Sequence, residues 1–141
     1  DYSRAIGSPL VSLSGHGENE ESVYSGHRWH YVLSRLVAAA KSVGLQAIDA
    51  PYGNFQDITG LEQSATQARA LGCDGKWAIH PEQLDVIQQV FSPTTAELEL
   101  AQRVLEAAQA AEKHGLGTVA VDGRMIDQAT VQLAKRVLGA G

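Results

Sequence analysis

The chain has 141 residues, enough for one ordinary domain with a sizeable core, and its 44% hydrophobic and 19% charged content excludes wholesale disorder. Its 11 Lys and Arg against 16 Asp and Glu give a formal net charge of −5, which argues against a nucleic-acid partner, because phosphate contacts need a basic surface. No apolar run approaches the ~18 residues of a membrane span and no signal-peptide pattern opens the chain, so neither a membrane nor secretion is expected.

Residues 1–27 read as a loop, with Gly7, Gly15, Gly17 and Gly26 spread among serines and acids. Trp29, Val32, Leu33, Leu36, Val37 and Ala40 then recur at helical spacing, and Gly44 follows as a C-cap. Leu45 to Ala50 suits a buried strand stopped by Pro51, and 51–60 a turn-rich loop. Leu61, Ala65, Ala68 and Leu71 mark a second helix ending at Gly72, and Lys76 to His80 a second strand closed by Pro81. Pro81 fits the first turn of a third helix through Phe91, where its missing N–H would be unpaired anyway.

Helix, strand, helix, strand, helix with tight connections predicts an α/β chain with a parallel sheet. From Ser92 the character changes. Thr94 and Glu97 have capping-box spacing before a long helix ending near Gly115. Thr118 to Val121 follows as a strand, Asp122-Gly123 as a turn, and Ile126, Ala129, Leu133 and Val137 stripe a last helix. The expected boundary lies at Phe91–Pro93, giving domains 1–91 and 92–141. Two strands cannot close a parallel sheet, and an eight-fold barrel needs ~250 residues. The first part therefore reads as the C-terminal βα units of a TIM (β/α)8 barrel, the second as a mainly helical C-terminal lid. An opening on Asp1 rather than Met fits a piece of something longer.

Gly75-Lys76-Trp77-Ala78-Ile79-His80-Pro81 is the most distinctive segment. It sets a histidine and a turn at the C-terminal end of a parallel strand, the edge where α/β barrels bind ligands. Spacing alone leaves open whether His80 caps the strand and Trp77 fills the core. Asp49 could orient a ligand at the end of the other strand, while Asp57 reads as the N-cap of the next helix. Asp127 opens the last helix, where a carboxylate is favoured without any function. His16, His27, His30 and His114 lack ligand spacing. Cys73, the single cysteine, excludes an intramolecular disulfide and a Cys-based zinc site and reads as a turn or core residue; a cytoplasmic location is expected.

Taken together, Gly75-Lys-Trp-Ala-Ile-His-Pro81, Phe91-Ser-Pro93 and Gly123-Arg-Met-Ile-Asp127, in that order, resemble the citrate lyase β-subunit-like family of the HpcH/HpaI aldolase superfamily. Asp1-Tyr-Ser-Arg-Ala-Ile-Gly7 resembles the family segment in which an aspartate ends a barrel strand. Asp49-Ala-Pro-Tyr-Gly-Asn-Phe-Gln-Asp57 is more similar to the malyl-CoA and β-methylmalyl-CoA lyases than to citryl-CoA lyase β-subunits. The resemblance implies a TIM barrel with a C-terminal lid, assembled as homotrimers or homohexamers. It implies that Asp1 binds substrate through Mg²⁺ (Mn²⁺ being the other candidate ion), and that Ile79 and His80 contact the CoA thioester. Asp127 would be a catalytic acid on the lid, reaching a neighbouring subunit's site. The partner glutamate, an early arginine and the N-terminal CoA contacts are absent, so the chain alone should be catalytically incomplete.

The implied activity is a retro-Claisen cleavage of a β-hydroxyacyl-CoA such as malyl-CoA into glyoxylate and acetyl-CoA. Its partners are an acyl-CoA and a small 2-oxo acid. Carboxylate-held Mg²⁺ suits chelation of the oxo acid, and a carboxyl group near the α-carbon suits the proton transfer. A citryl-CoA or citramalyl-CoA lyase and a malyl-CoA thioesterase are close alternatives. A non-catalytic assembly module is an alternative of another class.

Overall fold

The structure, a computed structural model, describes residues 29–113 and 119–139. The chain divides into two compact units between Phe91 and Ser92. In the first, α1 (His30–Ser42) leads to β1 (Ile48–Asp49), and α2 (Ile58–Ala70) crosses over to β2 (Gly75–Lys76). A 3₁₀ turn at Pro81–Gln83 then runs into α3 (Leu84–Phe91). The two strands are parallel, with Ile48 opposite Gly75 and Asp49 opposite Lys76, so β1–α2–β2 is a βαβ unit.

The first two helices end alike. Gly44 and Gly72 take positive φ, +73° and +99°. Leu45 N–H donates to Ala40 C=O and Gly44 N–H to Lys41 C=O; Cys73 N–H donates to Ala68 C=O and Gly72 N–H to Arg69 C=O. These are paired Schellman bonds, which satisfy the last carbonyls and turn the chain sharply into each strand. At its other end α2 is capped by Asp57, whose carboxylate accepts from Gly60 N–H at 2.9 Å.

The strands are shorter than the apolar runs predict, two residues each. At the start of β1 the Ala47 N–H is taken by the Asp74 carboxylate at 2.8 Å instead of a strand partner. Past Asp49, whose carbonyl still accepts from Trp77 N–H, Pro51 has no N–H to continue the ladder. Among the described residues of the unit, Val37, Ala47, Ala68 and Cys73 form one apolar cluster and Tyr52, Leu61 and Ile87 another.

The second unit is α4 (Thr95–Lys113), the hairpin β3 (Val119–Val121) and β4 (Arg124–Ile126), and α5 (Gln128–Gly139). Thr94 and Glu97 form the reciprocal capping box: Glu97 N–H donates to Thr94 Oγ1 at 3.2 Å, and Thr94 N–H to Glu97 Oε2 at 2.7 Å. The antiparallel hairpin turns through Asp122 and Gly123, both at positive φ, the geometry that matches strand twist. Ala101, Val104, Ile126 and Ala134 form the core of this unit. Among the described residues no helix is long and apolar enough to cross a membrane.

Candidate active site

Asp49 and Lys76 sit opposite each other on the parallel strands, and strand alternation sends both side chains to the helical side of the sheet. Lys76 Nζ lies 2.6 Å from Asp49 Oδ2 and 3.0 Å from Ser64 Oγ on α2, with both charged side chains fully buried. The carboxylate that could have oriented a ligand is therefore tied to an internal cation. Ile48 and Trp77 alternate to the opposite face. Trp77 is 64% exposed, so it does not fill the core of the described residues. With Leu33, Leu36, Ala50 and Ile48 it lines a cleft of about 290 Å³.

Beyond the strand ends the two βα loops are cross-linked. Tyr52, buried in the loop after β1, donates from its hydroxyl to Asp57 Oδ2 at 2.7 Å. Gln83, 0% exposed, donates from Nε2 to Tyr52 C=O at 2.9 Å and accepts the Ile79 N–H on Oε1 at 2.9 Å. Across the top the Phe55 and His80 rings stack, with centroids 4.5 Å apart and planes 21° apart. His80 caps the 3₁₀ turn, its Nδ1 accepting from Glu82 N–H at 3.3 Å. With Nδ1 accepting, Nε2 is the ring atom left to donate.

The structure thus brings Ile79 and His80 together at the C-terminal edge of β2, and leaves Ile79 55% exposed. Asp127 lies in the other unit. Its Oδ1 accepts from Thr130 N–H and Thr130 Oγ1, both at 2.7 Å, so it caps α5. These bonds, led by the backbone one, hold its carboxyl below the ordinary aspartate range. Asp127 also lines a concavity of about 640 Å³ with Leu105, Gln109, Val131 and Lys135. Asp1 lies outside the described residues, as do His16, His27 and His114. Burial first, then the charges of Asp49 and Asp74, push the Cys73 thiol up, which disfavours the thiolate.

Among the described residues no group of three or more His, Cys, Asp or Glu side chains could hold a metal ion. The acids nearest the strand ends are engaged, Asp49 by Lys76 and Asp57 by Gly60 and Tyr52. The described residues by themselves do not fit Mg²⁺. Sequence reasoning did not single out Gln83 or the role of Lys76. The available signals were a lysine inside a short apolar strand and a glutamine two residues after the turn proline.

A family model described as a C–C bond lyase of the TIM-barrel fold matches residues 8–139. The L-malyl-CoA/β-methylmalyl-CoA lyase of Rhodobacter capsulatus is 31% identical over 143 residues, covering 98% of this chain and 45% of the relative. A (3S)-malyl-CoA thioesterase of Cereibacter sphaeroides is 41% identical over 106 residues, 75% of this chain and 37% of that protein. The crystal structure of CitE from Mycobacterium tuberculosis, in complex with magnesium, acetoacetate and coenzyme A, is similar with a TM-score of 0.72 at 26% identity. That match covers 98% of this chain and 48% of CitE. The chain spans about half the length of the lyases it matches.

Proposed function

We propose that this chain, which belongs to the C–C bond lyase family of the TIM-barrel fold, is the C-terminal part of an Mg²⁺-dependent acyl-CoA lyase. The reaction is reversible cleavage of a β-hydroxyacyl-CoA such as malyl-CoA into glyoxylate and acetyl-CoA. The observation that carries this reading is the identity to malyl-CoA/β-methylmalyl-CoA lyases across 98% of the chain. The cross-linked βα loops support it, since they set Ile79 and His80 on the barrel edge where ligands bind.

In this reading Ile79 and His80 contact the thioester. His80 offers Nε2–H as a donor, its orientation fixed by the Phe55 ring and the Glu82 amide. Asp127, ionised at neutral pH, takes a proton from the substrate hydroxyl as the C–C bond breaks and returns it to the enolate carbon. It would do so from residues 92–141 acting as a lid over a neighbouring subunit's site in a trimer or hexamer. Asp1 is the residue of this chain proposed as a metal ligand, with a carboxylate from an earlier barrel strand. Bound Mg²⁺ would supply Lewis acidity toward the oxo acid.

One observation favours a second reading: the relative at 41% identity is a malyl-CoA thioesterase, in which water replaces carbon–carbon chemistry or completes it. Full-length protein incubated with malyl-CoA and Mg²⁺ separates the two. A lyase forms glyoxylate, trapped as its phenylhydrazone, with no free thiol. A thioesterase releases the CoA thiol and leaves malate. Absence of both products at saturating substrate would overturn both readings.

A further inference from the structure

We propose that Gln83 is a positioning residue for this reaction, holding the Trp77–His80 segment in its substrate-receiving shape by clamping it to the loop after β1. The inference rests on the functional reading above and adds to it a residue that touches no substrate. Gln83 is 0% exposed and uses both ends of its amide: Oε1 accepts from Ile79 N–H and Nε2 donates to Tyr52 C=O, each at 2.9 Å. Its own N–H donates to His80 C=O. Tyr52 is anchored in turn by its hydroxyl on Asp57, the cap of α2. One side chain therefore joins the two loops that follow adjacent parallel strands.

The chemistry requires a group at this position that donates at one end and accepts at the other, as an amide does. Only such a group satisfies a carbonyl and an N–H together. A carboxylate keeps the bond from Ile79 N–H but turns an oxygen against the Tyr52 carbonyl; a protonated carboxyl restores both bonds. A thioether of similar length makes neither. The Ile79 N–H is already committed to Gln83 and so is not the group that meets substrate, and a slackened clamp misplaces both Ile79 and His80.

The test compares full-length wild type with Gln83→Glu and Gln83→Met in steady-state turnover of malyl-CoA across pH. His80 and Asp57 face the clamp, so the wild-type profile serves as the baseline. Gln83→Glu should raise KM at high pH by about tenfold, the scale of a buried acceptor left unsatisfied. That increase should disappear as the new carboxyl protonates, and kcat should change much less. Gln83→Met should raise KM at every pH. A wild-type enzyme that is active, with both variants sharing its KM throughout, would overturn the clamp and leave the functional reading standing. A wild type that neither binds nor turns over any acyl-CoA would overturn the functional reading, and the positioning role with it. A measurement on wild type needs no variant to fold: the Ile79 amide should exchange slowly before acyl-CoA is added. Exchange as fast as an open loop amide would sink the proposal.

Discussion

Lys76 and Asp49 form a fully buried ion pair across the two parallel strands, Nζ to Oδ2 at 2.6 Å, with Ser64 of α2 as a third member. Two charges out of water stabilise a fold only while both are present, because the desolvation of each is offset by the other. Lys76→Met should therefore cost about 3–5 kcal/mol, leaving Asp49 buried beside an apolar chain. Asp49→Leu combined with Lys76→Met should recover most of that loss. Urea unfolding of the two variants checks the difference, and equal destabilisation would contradict it.

Gly60 is the residue that lets Tyr52 reach Asp57. A Cβ at this position would lie 2.2 Å from the Tyr52 hydroxyl oxygen and 2.3 Å from Asp57 Oδ2. Gly60→Ala should destabilise by about 1–3 kcal/mol, the usual scale of overpacking. Tyr52→Phe removes the hydroxyl the new methyl would strike. The double variant should cost less than the two single variants added together, as a thermal-melt double-mutant cycle would reveal.

Acid should loosen both helix caps. The Gly60 N–H, then the Tyr52 hydroxyl, hold the Asp57 carboxyl below its ordinary value of 3.8, and Thr130 does the same for Asp127. A carboxyl with a depressed folded pKa adds stability that is present above the ordinary value and lost as pH falls through the lowered one. Stability should thus decline as pH drops below about 3.8, the ordinary value for these aspartates. Asp57→Asn, which still accepts from Gly60, should flatten part of that slope in unfolding measurements across pH.

The proposed roles of Asp1 and Asp127 make a complementation prediction. Asp127→Asn keeps a good capping residue, so α5 should stay intact while kcat falls by roughly 10²–10⁴-fold. Asp1→Asn should abolish Mg²⁺-dependent turnover with the fold unchanged. Mixed oligomers of the two full-length variants should regain part of the activity, since each supplies the group the other lacks. Verified hetero-oligomers as inactive as their parents would place Asp127 outside any neighbouring site.

Local rules written along the chain determined most of the helix ends, although Ile126, expected on the stripe of the last helix, ends β4, and α5 begins at Gln128. Asp57 and the Thr94–Glu97 box cap where their spacing says, and Gly44 and Gly72 end α1 and α2 at positive φ. Each of these signals acts within four or five residues, so a linear reading contains both partners. The Lys76–Asp49 pair spans 27 residues and the Gln83–Tyr52 bond 31, and neither exists until α2 has folded back and set the strands in register. Periodicity shows that a face is buried but not which polar group waits on it. The sequence therefore presented Asp49 as a possible ligand contact and gave Lys76 no role of its own. It also left Trp77 open between core and surface. Only the alternation of paired strands, with Asp49 and Lys76 turned to α2, put the indole on the opposite, exposed side. Tertiary packing decided these side chains because the desolvation of a buried charge or amide is offset only by a specific partner, and the partners came from distant sequence.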